Sequence, residues 1–230
     1  MRGSRTRRCA LAFVLASVAS PALAAPTPRE LLVQASFVDR DKALAVDRVN
    51  AAATATEAMM RATPADREAE MVHAMAVCYR AKLAHSRADA LAGRKLLEQV
   101  LAKDPRNAEA TLALGAWHVG AVYNLGSLMA RAALGARKQV GLDALDRSVA
   151  LGGGRRFFTG VAGLLRLELD PADPRGRALA ERAAQGQAVV PLDRIMQRAA
   201  VAILASVRAG DAARTQALAS DLLPFGRLPH

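Results

Sequence analysis

Asp104-Pro105-Arg106-Asn107-Ala108-Glu109-Ala110 divides the chain more sharply than any other stretch. Pro105 has no amide to donate and cannot continue a helix arriving from its N-terminal side. Asn107 carries the short, oxygen-bearing side chain that caps a new helix. On the near side, Leu96, Leu97, Val100 and Leu101 fall at i, i+1, i+4 and i+5, the apolar stripe of a helix over residues 88–103. On the far side a helix opens at Ala108 and runs on through apolar residues. Two helices joined by a tight turn are therefore expected here.

The same punctuation recurs in both directions. Upstream, a first helix begins near Pro28 with Leu31, Leu32 and Phe37. A second covers residues 41–61, and Thr63-Pro64 suits the start of a third that runs to about His85. Downstream, Gly152-Gly153-Gly154 precedes a helix over 155–169, and Asp173-Pro174 opens one through Ala184. Pro191-Leu192-Asp193 opens another, in which Leu192, Ile195, Met196, Ala199, Ile203 and Val207 keep helical spacing up to Gly210. A last helix covers 211–223, and Pro224-Phe225-Gly226 begins a tail. Ala, Leu, Arg, Glu and Met favour helix, and no segment alternates with the period of a strand. The expected fold is all-α, built from antiparallel helix hairpins. One hairpin cannot bury its apolar face alone, so several must stack.

Asp104-Pro105-Arg106-Asn107-Ala108-Glu109-Ala110 followed by Leu114-Gly115 resembles the junction between two tetratricopeptide repeats. Leu96-Leu97-Glu98-Gln99-Val100-Leu101 resembles the second helix of such a unit. Residues 144–151 resemble the second helix of the next unit, displaced by an enlargement of that repeat. Arg208-Ala209-Gly210-Asp211 resembles the turn inside another hairpin. The resemblance implies a helical array, an α-solenoid or an irregular relative of one. It places Gly115 where two helices touch and implies a groove that binds a protein or peptide. It brings no catalytic residue with it.

The first residues carry a different message. Arg2, Arg5, Arg7 and Arg8 form a basic head without acids, an apolar run follows from Cys9 to Ala19, and Ala22-Leu23-Ala24 supplies a small-residue exit. This order is that of a secretory signal peptide cleaved between Ala24 and Ala25, and it implies export, to the periplasm in a bacterium. Arg7-Arg8 leaves twin-arginine export open as an alternative to the general route. Residues 25–230 then make one domain. Removing residues 1–24 lowers the formal net charge from +11 to +7. The remaining charges are interleaved and aromatic residues are only 3% of the chain. A nucleic-acid groove needs a basic stripe with stacking rings, so that partner class is set aside. Cys78 is left without an intramolecular partner, in an apolar helical stretch that suits a buried thiol.

Few residues point to chemistry. The uncharged stretch 110–130 is long enough to span a bilayer. His118, Asn124 and Ser127 inside it, and amphipathic neighbours needing an apolar partner, argue instead for a central buried helix. Trp117, His118, Tyr123 and Asn124 would line a ligand tunnel if they converge; the plainer reading is one internal hydrogen bond for each. Arg155 and Arg156, after three glycines at a helix start, suit a phosphate or carboxylate, or else a flexible solvated turn. Glu70 and His73 are one lone Glu/His pair, and His73, His85, His118 and His230 lack zinc spacing. No nucleotide loop or nucleophile elbow is present, so no catalytic residue, metal or cofactor is expected. The expectation is an exported, non-enzymatic scaffold for a protein or peptide. The alternative is a carrier of a small apolar or anionic ligand with its tunnel around residues 110–130.

Overall fold

The structure is a computed structural model that describes residues 25–229. The signal-peptide reading of residues 1–24 and the last histidine, His230, lie outside the described residues. Among the described residues ten helices follow one another: α1 (Pro28–Phe37), α2 (Lys42–Ala62), α3 (Arg67–Ala84), α4 (Arg87–Lys103), α5 (Ala108–Leu134), α6 (Lys138–Leu151), α7 (Arg156–Leu169), α8 (Pro174–Ala184), α9 (Pro191–Ala209) and α10 (Ala212–Leu222). Among the described residues there is no strand.

Local chemistry sets most boundaries. Thr27 and Glu30 form a reciprocal capping box before α1, with Pro28 at its first position. Asn107 accepts from the Ala110 amide and starts α5, and Asp173 accepts from the Arg175 and Gly176 amides at the start of α8. One expected start is displaced. Thr63 closes α2, its amide donating to the Met59 carbonyl. Asp66 caps α3, accepting from Ala69, so that helix begins at Arg67. Two capping residues three apart compete here, and the one nearer the apolar run wins.

Successive helices pack as pairs: α1 on α2, α3 on α4, α5 on α6, α7 on α8, and α9 on α10. The odd-numbered helices also touch in a row, α1 to α3, α3 to α5, α5 to α7 and α7 to α9. Arg29 shows their common direction at one end of the row. Its guanidinium bonds Glu68 at 3.0 Å and Glu109 at 2.6 Å, and all three residues sit in the first turns of α1, α3 and α5. The carboxylates also face the positive ends of their own helices.

The hairpins close through glycine. A Cβ on Gly115 would lie 2.9 Å from Leu145 Cδ2 and 3.1 Å from the Gly141 carbonyl oxygen, and one on Gly141 would lie 2.9 Å from the His118 Cβ. Gly163 and Gly176 face each other in the same way between α7 and α8, and Gly93 lies under Cys78 between α3 and α4. Gly115 thus stands where the sequence places it, at a helix–helix contact.

The stretch 110–130 is not one buried helix. Ala110, Leu112, Gly115, His118, Val119 and Val122 are buried, but residues 123–129 are all exposed. Gly126 (φ 74°, ψ 157°) breaks the helical path, conformational space that glycine alone enters freely. Among the described residues no helix is long and apolar enough to cross a membrane.

Candidate functional site

α10 does not extend the array outward. It packs on α7 as well as on its partner α9. From there the chain crosses the inner row helix by helix. Ser220 donates to Glu168 of α7 at 2.9 Å and lies 3.3 Å from the Tyr123 hydroxyl of α5. Lys82 of α3 donates to the Pro224 carbonyl at 2.8 Å, and the Phe225 amide donates to the Ser36 carbonyl of α1 at 2.8 Å. The groove formed by the odd-numbered helices is thus filled by the C-terminal segment of the same chain.

That segment is apolar where it touches the groove. Leu223, Phe225 and Leu228 are buried, and the last two join Leu32, Ala35, Val49, Val72 and Leu83 in one cluster. The Phe225 ring meets Tyr79 edge-on at 4.9 Å. The segment is turned rather than helical. The Leu228 amide donates to the Phe225 carbonyl, and Phe225 holds a positive φ of 65°. Beyond it the groove leaves a hollow of about 30 Å³ lined by Arg29, Leu32, Tyr79 and Glu109 among others, room for about one or two waters. Glu168 is buried under α10, and burial pushes its pKa up against the opposing pull of Ser220 and Lys82.

Known proteins offer no guide to this arrangement. The chain matches no family model, no curated protein and no solved structure.

Trp117 and His118 touch edge-to-face at 5.0 Å but point to different neighbours. Trp117 donates to the Ala90 carbonyl of α4 at 2.8 Å, and the Arg94 guanidinium lies 5.2 Å over its ring. His118 is buried, and its Nδ1 accepts from the Arg137 amide at 3.2 Å, capping α6 where no side chain of the α6 cap position does so. Burial, then the charges of Arg94 and Arg137, lower its pKa to about 4, so the ring is neutral. Tyr123 and Asn124 are exposed; Asn124 donates to the Gly120 carbonyl of its own helix. The four do not face a common space.

Arg155 and Arg156 also separate. Arg156 donates to the Gln185 carbonyl at 2.9 Å. Arg155 lies 3.5 Å from the Asp193 carboxylate, which also accepts from the Phe157 amide at 3.0 Å. The start of α7 does hold a carboxylate, and it is the chain's own buried Asp193. Glu70 pairs with Lys103, and His73 meets Thr56 at 3.2 Å. Cys78 is pushed up to about 12 by burial and carries no thiolate at neutral pH. The sequence reading missed Phe225, Leu228, Glu168 and Ser220. The clue was Leu222-Leu223-Pro224-Phe225-Gly226-Arg227-Leu228, four large apolar residues in a tail that a solvated end would not carry.

Proposed function

We propose that the chain is an exported, non-enzymatic scaffold of tetratricopeptide-like hairpins that holds a protein or peptide partner by a short apolar segment. The observation that carries this reading is the seating of Phe225 and Leu228 across α1 and α3, with Leu223 buried in the neighbouring cluster of α5, α7 and α9. The inner row accepts a turned segment with three apolar anchors, and in the free protein that segment is the tail. A partner presenting similar anchors would displace it. Stacked hairpins closed by paired glycines support the repeat likeness, and α5 with its projection supplies the enlarged unit. Export rests on the signal-like residues 1–24.

Selection of random peptides on the purified chain tests the reading. Enriched peptides should carry aromatic and aliphatic anchors two or three residues apart, and a synthetic tail should compete with them. Selection of peptides with no apolar anchor, or none that the tail displaces, would set the groove aside as the partner site.

A further inference from the structure

α5 continues past the point where its packing stops. Tyr123, Leu125, Leu128 and Met129 are 37%, 46%, 86% and 61% exposed. The positive φ of Gly126 turns the chain between them, and no atom lies within 4 Å of where its Cβ would be. The projection is nevertheless anchored. Ala130 is buried against Val122 and Ala136. Arg87 donates twice to the Ala133 carbonyl, at 3.0 and 2.9 Å, and Arg94 donates to the Leu134 carbonyl at 3.3 Å. Cations at a helix C-terminus stabilise it. The other hairpins carry nothing comparable; only His85 and Ser86 separate α3 from α4.

Within the segment that forms this knuckle the charge has one sign. Residues 110–142 contain no aspartate or glutamate. Arg131, Arg137 and Lys138 are exposed there, and Val140, 41% exposed, extends the apolar face. On the neighbouring α4, Asp89 and Glu98 are already paired with Arg80 and Arg94. An exposed apolar patch of this kind marks an interaction site. A two-fold pairing with a second copy would bring two patches of like positive charge together. A surface with an apolar interior and anionic headgroups matches both features at once. Leucine and methionine enter the acyl boundary, tyrosine lies at headgroup level, and the cations meet phosphate.

We propose that the knuckle at residues 123–140 docks the protein on an anionic phospholipid surface. The test is sedimentation with vesicles, using the chain from Ala25 onward, which carries all ten helices. Binding to vesicles of equal parts phosphatidylglycerol and phosphatidylcholine should exceed binding to phosphatidylcholine alone by about tenfold and should weaken as salt rises. Leu128→Ser with Met129→Ser should lose about tenfold in binding with an unchanged circular dichroism spectrum. Arg131→Gln with Lys138→Gln should remove the preference for anionic vesicles. Val189→Ser, exposed on the α8–α9 loop, should bind as the natural chain does. Absence of vesicle binding, equal binding to both vesicles, or full binding by the Leu128/Met129 variant would overturn the proposal. So would a dimer that those two substitutions dissolve, which would assign the face to a second copy.

Discussion

The Phe225 amide donates to the Ser36 carbonyl at 2.8 Å, joining the end of the chain to its first helix. Phe225 is 6% exposed and its ring packs edge-on against Tyr79. Phe225→Ser removes that burial and should cost about 3 kcal/mol. Urea denaturation followed by circular dichroism measures it. A loss under about 1 kcal/mol would mean that the tail contributes little to the closed array.

Two glycines of α5 should respond in opposite directions to alanine. At Gly115 the new methyl would meet the Gly141 carbonyl and the Leu145 amide, both backbone, at 3.1 Å. Gly115→Ala should therefore lower stability by about 1–3 kcal/mol. At Gly120 nothing lies within 4 Å, and Gly120→Ala should raise stability by about 0.5–1 kcal/mol through helix propensity. Equal effects would contradict the close crossing of α5 and α6.

His118 and Glu168 give opposite pH dependences. His118 is lowered from 6.5 to about 4 in the fold, so the unfolded chain takes up its proton first on acidification. Its contribution is fully present above 6.5 and is lost as pH falls toward 4. His118→Gln should flatten the stability slope across that window. Glu168 is raised above 4.5 by burial, so its contribution is present in acid and is lost as pH rises through its folded value. Glu168→Gln should therefore stabilise the chain at neutral pH. Denaturation midpoints across pH for each variant check both signs, and a His118→Gln slope matching the natural chain would refute the first.

Asp193 fills the anion site at the start of α7. Asp193→Ala should cost about 1–2 kcal/mol by leaving the Phe157 amide without its acceptor. Added phosphate should then raise the melting temperature of the variant and leave the natural chain unchanged. Equal stabilisation of both by phosphate would show an anion site that Asp193 does not occupy.

Local signals made much of the fold legible. Asn107, Asp173-Pro174 and Pro191 act within one turn of themselves, and their helices start where the sequence places them. Gly115 was also readable, because a small residue at a repeat-like position implies a close crossing. The apolar content of residues 123–129 points to burial, while the direction change at Gly126 that exposes them leaves no periodic trace. The sequence marks Asp193 as part of a helix opener and Arg155 as an anion ligand. Their meeting is tertiary and no spacing encodes it. The seating of the tail is tertiary in the same way, since Phe225 finds its partners Ser36 and Tyr79 far from it in sequence.

Under the proposed function the inner row of helices receives a short apolar segment, with the tail as its resident occupant. The direct measurement is fluorescence anisotropy of a labelled peptide spanning residues 222–230, titrated with the chain carrying Phe225→Ser and Leu228→Ser. The expected result is saturable binding at micromolar concentrations, loss of binding for a peptide with serine in place of phenylalanine, and weak binding to the natural chain, whose own tail competes at high effective concentration. Absence of binding to the opened chain, or equal binding by the serine peptide, would contradict the claim.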